Sequence, residues 1–286
     1  MKKKKTFLAA LILPAALLIA AAVRLIGPLH LRAGPETHED TEQNDSIQYY
    51  GLSFMPDESL PRNEYAADAF DFSDDIFIRY DSDDAECGVD VSTYQGEIDW
   101  RQAAAAGVEF AMIRVGFRGY LSGALALDDR FIQNADGAAE AGVKIGAYFF
   151  SQAVTPAEAE EEADFVVSAL AGYDVTYPVV FDWENVESPD ARTSGISPRE
   201  LTELASAFCA RIAEAGYTPA VYFNVPTGYF MYDLASLSDY VFWLAEYRSV
   251  PTFYYSFDLW QYTDAGRVPG IDAPVDLNLC FRSFPG

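Results

Sequence analysis

The chain has 286 residues, half of them hydrophobic, enough for one large domain or two small ones with a sizeable core. Its formal charge of −25 argues against nucleic acid or an anionic membrane surface as a partner. Three cysteines, Cys87, Cys209 and Cys280, are too few for a disulfide scaffold and lack metal-ligand spacing.

Residues 1–24 read as a signal peptide or signal anchor. Lys2–Lys5 precede an apolar run from Phe7 to Val23, which ends at Arg24. Its length lies on the border between a cleaved signal core and a membrane-spanning helix. Either way Lys2–Lys5 stay on the cytoplasmic side. The expected partner of this segment is the membrane or the export machinery. The rest of the chain is expected outside, membrane-anchored or, after cleavage, secreted. Residues 25–86 read as an acidic linker or stalk, with 16 acids in residues 35–86 against Arg62 and Arg79, four prolines and no sustained periodicity. Its stretch "AFDFSDDIFIRY", residues 69–80, supplies aromatic rings able to dock on the domain that follows.

In residues 87–286 short β-rich apolar runs alternate with Ala- and Glu-rich helical segments, the pattern of β/α units around a parallel sheet. The predicted strands are "GVDVS", "FAMIRVG", "KIGAYFF", "YPVVFDWE", "PAVYFN", "VFWLAEY", "FDLWQYT" and "VDLNLCF". Helices are predicted to begin near Trp100, Phe131, Pro156 and Pro198. Thr155 and Ser197 serve as N-caps of the last two, each followed by proline at the first helical position. After the fifth strand the connections are too short for full helices. Eight strands with helices only in the first half predict a closed α/β barrel, a variant of the (β/α)8 theme.

In such barrels functional residues lie at the C-terminal ends of the parallel strands. Asp90 ends the first strand, and Asp182 and Glu184 end the fourth. Side chains two apart on a strand share a face, with Cα atoms roughly 6.5–7 Å apart. Asp276 begins the last strand, and an antiparallel course would bring it to the same mouth. Four converging acids repel, and repulsion with partial burial raises at least one pKa. A protonated acid beside ionised partners is what glycosidic bond cleavage needs. Tyr94, Tyr148, Phe150, Tyr222, Trp243, Tyr247, Trp260 and Tyr262 lie at or near strand ends, as sugar-stacking surfaces or as barrel filling. Gln95, Gln261 and Asn278 either bond sugar hydroxyls or cap strand ends. Arg114 and Arg118 are read mainly as structural partners of acids. The only histidines, His30 and His38, lie upstream, so the domain holds no Ser-His-Asp or Cys-His machinery. "GFRGYLSG" fits neither a phosphate loop nor a dinucleotide turn. No metal and no cofactor are expected, although four acids alone are also a ligand set for Mg2+ or Ca2+.

With these residues the domain resembles glycoside hydrolase family 25, the Chalaropsis-type lysozymes or N-acetylmuramidases. "GVDVSTYQGEIDW" is similar to the family's opening motif. "FAMIRVG", "AGVKIGAYFF", "VVFDWEN", "FWLAEY", "LWQYTDAGRVPGI" and "VDLN" follow in the family's order between Gly88 and Phe281. The resemblance implies a TIM-like (β/α)5β3 barrel as a single catalytic domain. It implies hydrolysis of the β-1,4 bond between N-acetylmuramic acid and N-acetylglucosamine, with peptidoglycan glycan strands as partner. On the same basis Glu184 is the proton donor, Asp182 its charged partner, and Asp90 and Asp276 tune the pair and position substrate. Tyr94, Tyr148, Phe150, Tyr222, Trp243, Tyr247, Trp260 and Gln261 are the expected substrate contacts. Phe149 stands where many members have His, on the strand face expected to point away from substrate.

Two other classes fit the same residues: a non-catalytic wall-binding barrel, and a hydrolase of another N-acetylated glycan such as chitin. Cys87 and Cys280 both belong at the bottom of the barrel. Their spacings from Asp90 and Asp276, three and four residues, differ in parity and argue against a bridge.

Overall fold

The structure, a computed structural model, describes residues 46–284. The signal or anchor at 1–24 and the start of the linker lie outside the described residues. Among the described residues no helix is long and apolar enough to cross a membrane.

The first described residues belong to the same compact unit as the barrel, not to a separate stalk. β1 (Ile47–Tyr49) and β2 (Leu52–Phe54) form an antiparallel hairpin, and β3 (Phe70–Asp71) and β4 (Arg79–Tyr80) a short antiparallel ribbon. Eight strands then close a barrel: β5 (Glu86–Val91), β6 (Phe110–Arg118), β8 (Lys144–Ser151), β9 (Val175–Trp183), β10 (Pro219–Asn224), β11 (Val241–Ala245), β12 (Leu259–Gly266) and β13 (Val275–Cys280). Pairing is parallel from β5 through β12, and β13 closes the ring antiparallel to both β12 and β5. β7 (Leu125–Leu127), absent from the sequence reading, folds back antiparallel on the far end of β6.

The helices are α1 (Trp100–Ala105), α2 (Phe131–Ala141), α3 (Pro156–Leu170), α4 (Pro198–Glu214) and the short α5 (Val225–Phe230). The first four start at the predicted residues, three of them behind a side-chain N-cap, Asp99, Thr155 or Ser197. Thr155 Oγ1 accepts from Glu158 N, and Ser197 and Glu200 form a reciprocal capping box. Five β/α units followed by three strands is the architecture expected above.

Alternation along the strands separates two cores. Phe110, Met112, Tyr177, Val180, Tyr222, Trp243 and Cys280 fill the barrel interior. Phe110 stacks on Tyr177 at 4.4 Å near the bottom, and a Cβ on Gly88 would lie 2.6 Å from the Phe110 ring. Val89, Ile113, Phe149, Phe181, Phe208, Phe223 and Trp260 belong to the outer layer. Cys87 faces outward and Cys280 inward, and Cys87, Cys209 and Cys280 are all free thiols. The parity of the two spacings is the reason.

Residues 46–86, assigned to the linker from sequence, cover the strands that carry no helices. Phe70 meets Trp260 edge-on at 5.7 Å, and Tyr65 stacks on Phe281 at 3.8 Å. Tyr65 Oη donates to the Phe257 carbonyl, and Ile78 N donates to Tyr262 Oη. A sheet buried on both faces needs an outer layer everywhere. Here largely irregular chain supplies it through a cluster of rings at irregular spacing, Tyr65, Phe70 and Tyr80, which leaves no periodicity to read.

Phe77, fully buried in this cover, tests the assignment. Phe77→Ala is expected to lower the unfolding free energy by about 3–5 kcal/mol in a denaturant titration. A loss under about 1 kcal/mol would show that the segment is dispensable. Thiol titration of the unfolded, unreduced domain is expected to find Cys87 and Cys280 both free.

Candidate active site

Ring closure assembles the acids. Asp276, near the start of β13, lies directly opposite Asp90, near the end of β5. Asp182, next to last on β9, is in register with Phe150 on β8 and Tyr222 on β10. Glu184 follows one residue beyond β9, and alternation from inward-facing Val180 turns Asp182 and Glu184 to the same side.

Asp90 is buried and held by a polar network. Gln261 Nε2 and Asn278 Nδ2 each donate to Asp90 Oδ2 at 2.8 Å. Asn278 is in turn fixed by Trp243 Nε1, which donates to its Oδ1 at 2.8 Å. Tyr222 Oη and Tyr247 Oη both donate to Gln261 Oε1, at 3.0 and 3.2 Å. Gln261 and Asn278, left from sequence between bonding sugar hydroxyls and capping strand ends, both hold the Asp90 carboxylate. Asp182 is the opposite case: its Oδ1 is buried without a hydrogen-bond partner.

Burial and mutual repulsion hold protons on this cluster. Burial raises Asp90 to about 6, although the amides of Asn278 and Gln261 favour its charged form. Burial, then the charge of Asp90, pushes Glu184 up to about 7. Burial, then Asp90 and Asp264, pushes Asp276 up to about 9. Asp182 is driven upward by burial, then Glu184 and Asp90, with Arg114 opposing. Glu184 and Asp276 keep part of their surface open at the mouth, so water moderates the size of their shifts but not the direction. The protons belong to the group of acids rather than to single residues.

The predicted aromatics divide. Tyr148 lies inward beside Trp243, with ring centroids 6.1 Å apart. Burial and the charges of Asp90, Asp182 and Asp276 keep its hydroxyl protonated. Phe150 is half-buried next to Asp182, and Tyr247 and Tyr94 are exposed near the mouth. Tyr222 and Trp243 are buried in the interior, where they bond the Gln261 and Asn278 amides that hold Asp90. Trp260 is corrected outright: it is 0% exposed in the outer layer, and its Nε1 donates to the Glu246 carbonyl. Tyr262 shares that side. Because Gln261 faces inward, its neighbours face out. Phe149 likewise packs outward on Phe165 at 5.9 Å, away from the acids.

The remaining polar residues are tied into the surrounding fold. Gln95 accepts from Ser92 N and donates to the Pro274 carbonyl. Arg114 pairs with Asp128 at 2.7 Å and lies 5.1 Å from the centre of the Tyr94 ring. Arg118 is buried against Glu162 and Glu161. Gln152, missed from sequence, donates to the Glu184 carbonyl at 3.2 Å while accepting from Thr193 Oγ1, so it fixes the loop that carries Glu184. No local pattern announces it. Among the described residues no three His, Cys, Asp or Glu side chains are grouped to hold a metal ion.

These shifts have a stability consequence. A carboxyl whose folded pKa is raised binds protons more tightly when folded, so its ionisation costs stability as pH rises from the unfolded value through the folded one. For Glu184 that window runs from 4.5 to about 7. Glu184→Gln is therefore expected to stabilise the protein at pH 8 by about 1–3 kcal/mol, after discounting for solvent at the mouth, and to give no gain at pH 4. Urea titrations at the two pH values check this, and an equal effect at both would contradict it.

Comparison with known proteins gives a consistent relationship. Residues 89–271 match the model of Glycosyl hydrolases family 25. Lysozyme M1 of Streptomyces globisporus is 32% identical over 202 residues, which cover 67% of this chain and 66% of that lysozyme. The autolytic lysozyme of Clostridium acetobutylicum is 28% identical over 193 residues, 67% of this chain and 54% of its own length. The chain thus spans about two thirds or less of these curated relatives. The solved bacterial lysozyme of Streptomyces coelicolor is 26% identical with a TM-score of 0.53, covering 72% of this chain and 94% of its own. The spore cortex lytic enzyme SleM of Clostridium perfringens has the same fold at a TM-score of 0.60 and 23% identity, covering 68% of this chain and 67% of its own. By its family match and its eight-stranded barrel, this chain belongs to glycosyl hydrolases family 25.

Proposed function

We propose that the protein is a peptidoglycan hydrolase, a muramidase cleaving the β-1,4 bond between N-acetylmuramic acid and N-acetylglucosamine. Glu184 is the proton donor and Asp182 its charged partner. The observation that carries this reading is the group of buried, mutually repelling acids at the barrel mouth, with a proton retained on Glu184 up to about pH 7. Family membership supports it.

Glu184 gives its proton to the glycosidic oxygen as the bond from that oxygen to the anomeric carbon breaks. The substrate's own acetamido oxygen bonds to the anomeric carbon, and the acetamide N–H donates to the unpartnered Oδ1 of Asp182. Water then adds, losing a proton to Glu184 and restoring the acetamide. A buried carboxyl oxygen without a donor favours this substrate-assisted route over direct attack by Asp182. The basic and apolar residues 1–24 support an exported barrel tethered to the membrane, or secreted if the segment is cleaved.

Digestion of purified peptidoglycan by the full chain is expected to release products with N-acetylmuramic acid reducing ends, identified by mass spectrometry. Glucosamine ends, or no release, would overturn the assignment. Glu184→Gln is expected to slow release about 100- to 10,000-fold without loss of the fold. The rate is expected to fall as pH rises past about 7, where the donor loses its proton.

A further inference from the structure

The hairpin of β1 and β2 lies ahead of the family-matched region, which begins at residue 89. Its turn is Tyr50–Gly51, and both residues have positive φ, 45° and 82°. A two-residue hairpin turn of this kind favours Asn, Asp or Gly, so a tyrosine there carries backbone strain. The ring gains no burial in return, since Tyr50 is 74% exposed. It meets Tyr49 edge-on at 4.8 Å.

The hairpin is fastened to the rim of the barrel. Tyr49 and Phe54 contact Tyr229 and Phe230 of α5 with ring centroids 5.3–5.9 Å apart. α5 begins where β10 ends, at the C-terminal mouth. Tyr229 stacks at 4.6 Å on Phe253, in the loop that follows β11. The same loop holds Tyr247, whose hydroxyl donates to Gln261 beside Asp90. Glu246 and Arg248, on either side of Tyr247, act electrostatically on the Tyr49 hydroxyl. The hairpin also presents polar groups: Gln48 Nε2 donates to Ser46 Oγ and Ser53 Oγ at 2.8 and 2.7 Å, all exposed. An exposed ring with amide and hydroxyl groups nearby suits a sugar, with its apolar C–H face and polar rim.

We propose that the β1–β2 hairpin is a distal glycan-binding platform, on which Tyr50 contacts an N-acetylated sugar remote from the bond cut at the mouth. This rests on the muramidase reading. The net charge of −25, with Asp57 and Glu58 just after the hairpin, disfavours the other surface such rings suit, an anionic lipid layer.

The test uses the full chain carrying Tyr50→Asn, which removes the ring and suits a left-handed turn. Turnover is measured on long peptide-free glycan strands and on a tetrasaccharide of the same repeat. KM for long strands is expected to rise about 3–10-fold, with tetrasaccharide turnover unchanged. An unchanged KM on long strands, or equal loss on both substrates, overturns the proposal. If the unsubstituted chain cleaves neither, the muramidase reading fails by itself. Calorimetric titration with the same strands then decides the platform: weaker binding by Tyr50→Asn supports it and equal binding overturns it. If instead Tyr50→Asn reduces sedimentation with phosphatidylcholine–phosphatidylglycerol vesicles and keeps full glycan affinity, the hairpin is a membrane contact and the proposal is wrong.

Discussion

The antiparallel seam between β13 and β5 sets Asp276 directly opposite Asp90, and the candidate site depends on that pairing. A parallel last strand would send Asp276 to the bottom of the barrel. With the seam as it is, a second residue of β13, Asn278, reaches Asp90 from two positions along. One strand therefore contributes both a carboxyl that Asp90 repels and an amide that offsets the burial of Asp90.

That balance explains the contrast between Asp90 and Asp182. Both are buried, but Asp90 receives two amide N–H groups and Asp182 Oδ1 receives none. An unsatisfied buried oxygen is costly to a folded protein unless something else compensates. Such costs concentrate at functional sites, where a ligand supplies the missing partner.

Much of this was legible in the chain because it depends on short-range rules. Alternation placed Asp182 and Glu184 on one face, and caps located the helix starts at Pro156 and Pro198. The same alternation, applied strictly, excludes Trp260, because it is adjacent to inward-facing Gln261. Aromatic character had outweighed geometry there. Trp243 does face inward, yet it is spent on fixing Asn278, and depth within a barrel is not written in a strand's own pattern. Asp264 acts on Asp276 from a stretch of β12 where the register shifts twice, which removes the parity a sequence reading relies on. The cover formed by residues 46–86 was hidden for a different reason: its contacts with the barrel are long-range and its rings follow no repeat.

The stacked rings of Phe110 and Tyr177, closed over by Gly88, make the lower barrel solid. Among the described residues this packing fills the barrel below the acids, so the acids face the mouth. Under the proposed function, departure of one fragment and arrival of the next would compete for that single opening. Traffic in such a barrel is governed by the loops and rings around its rim.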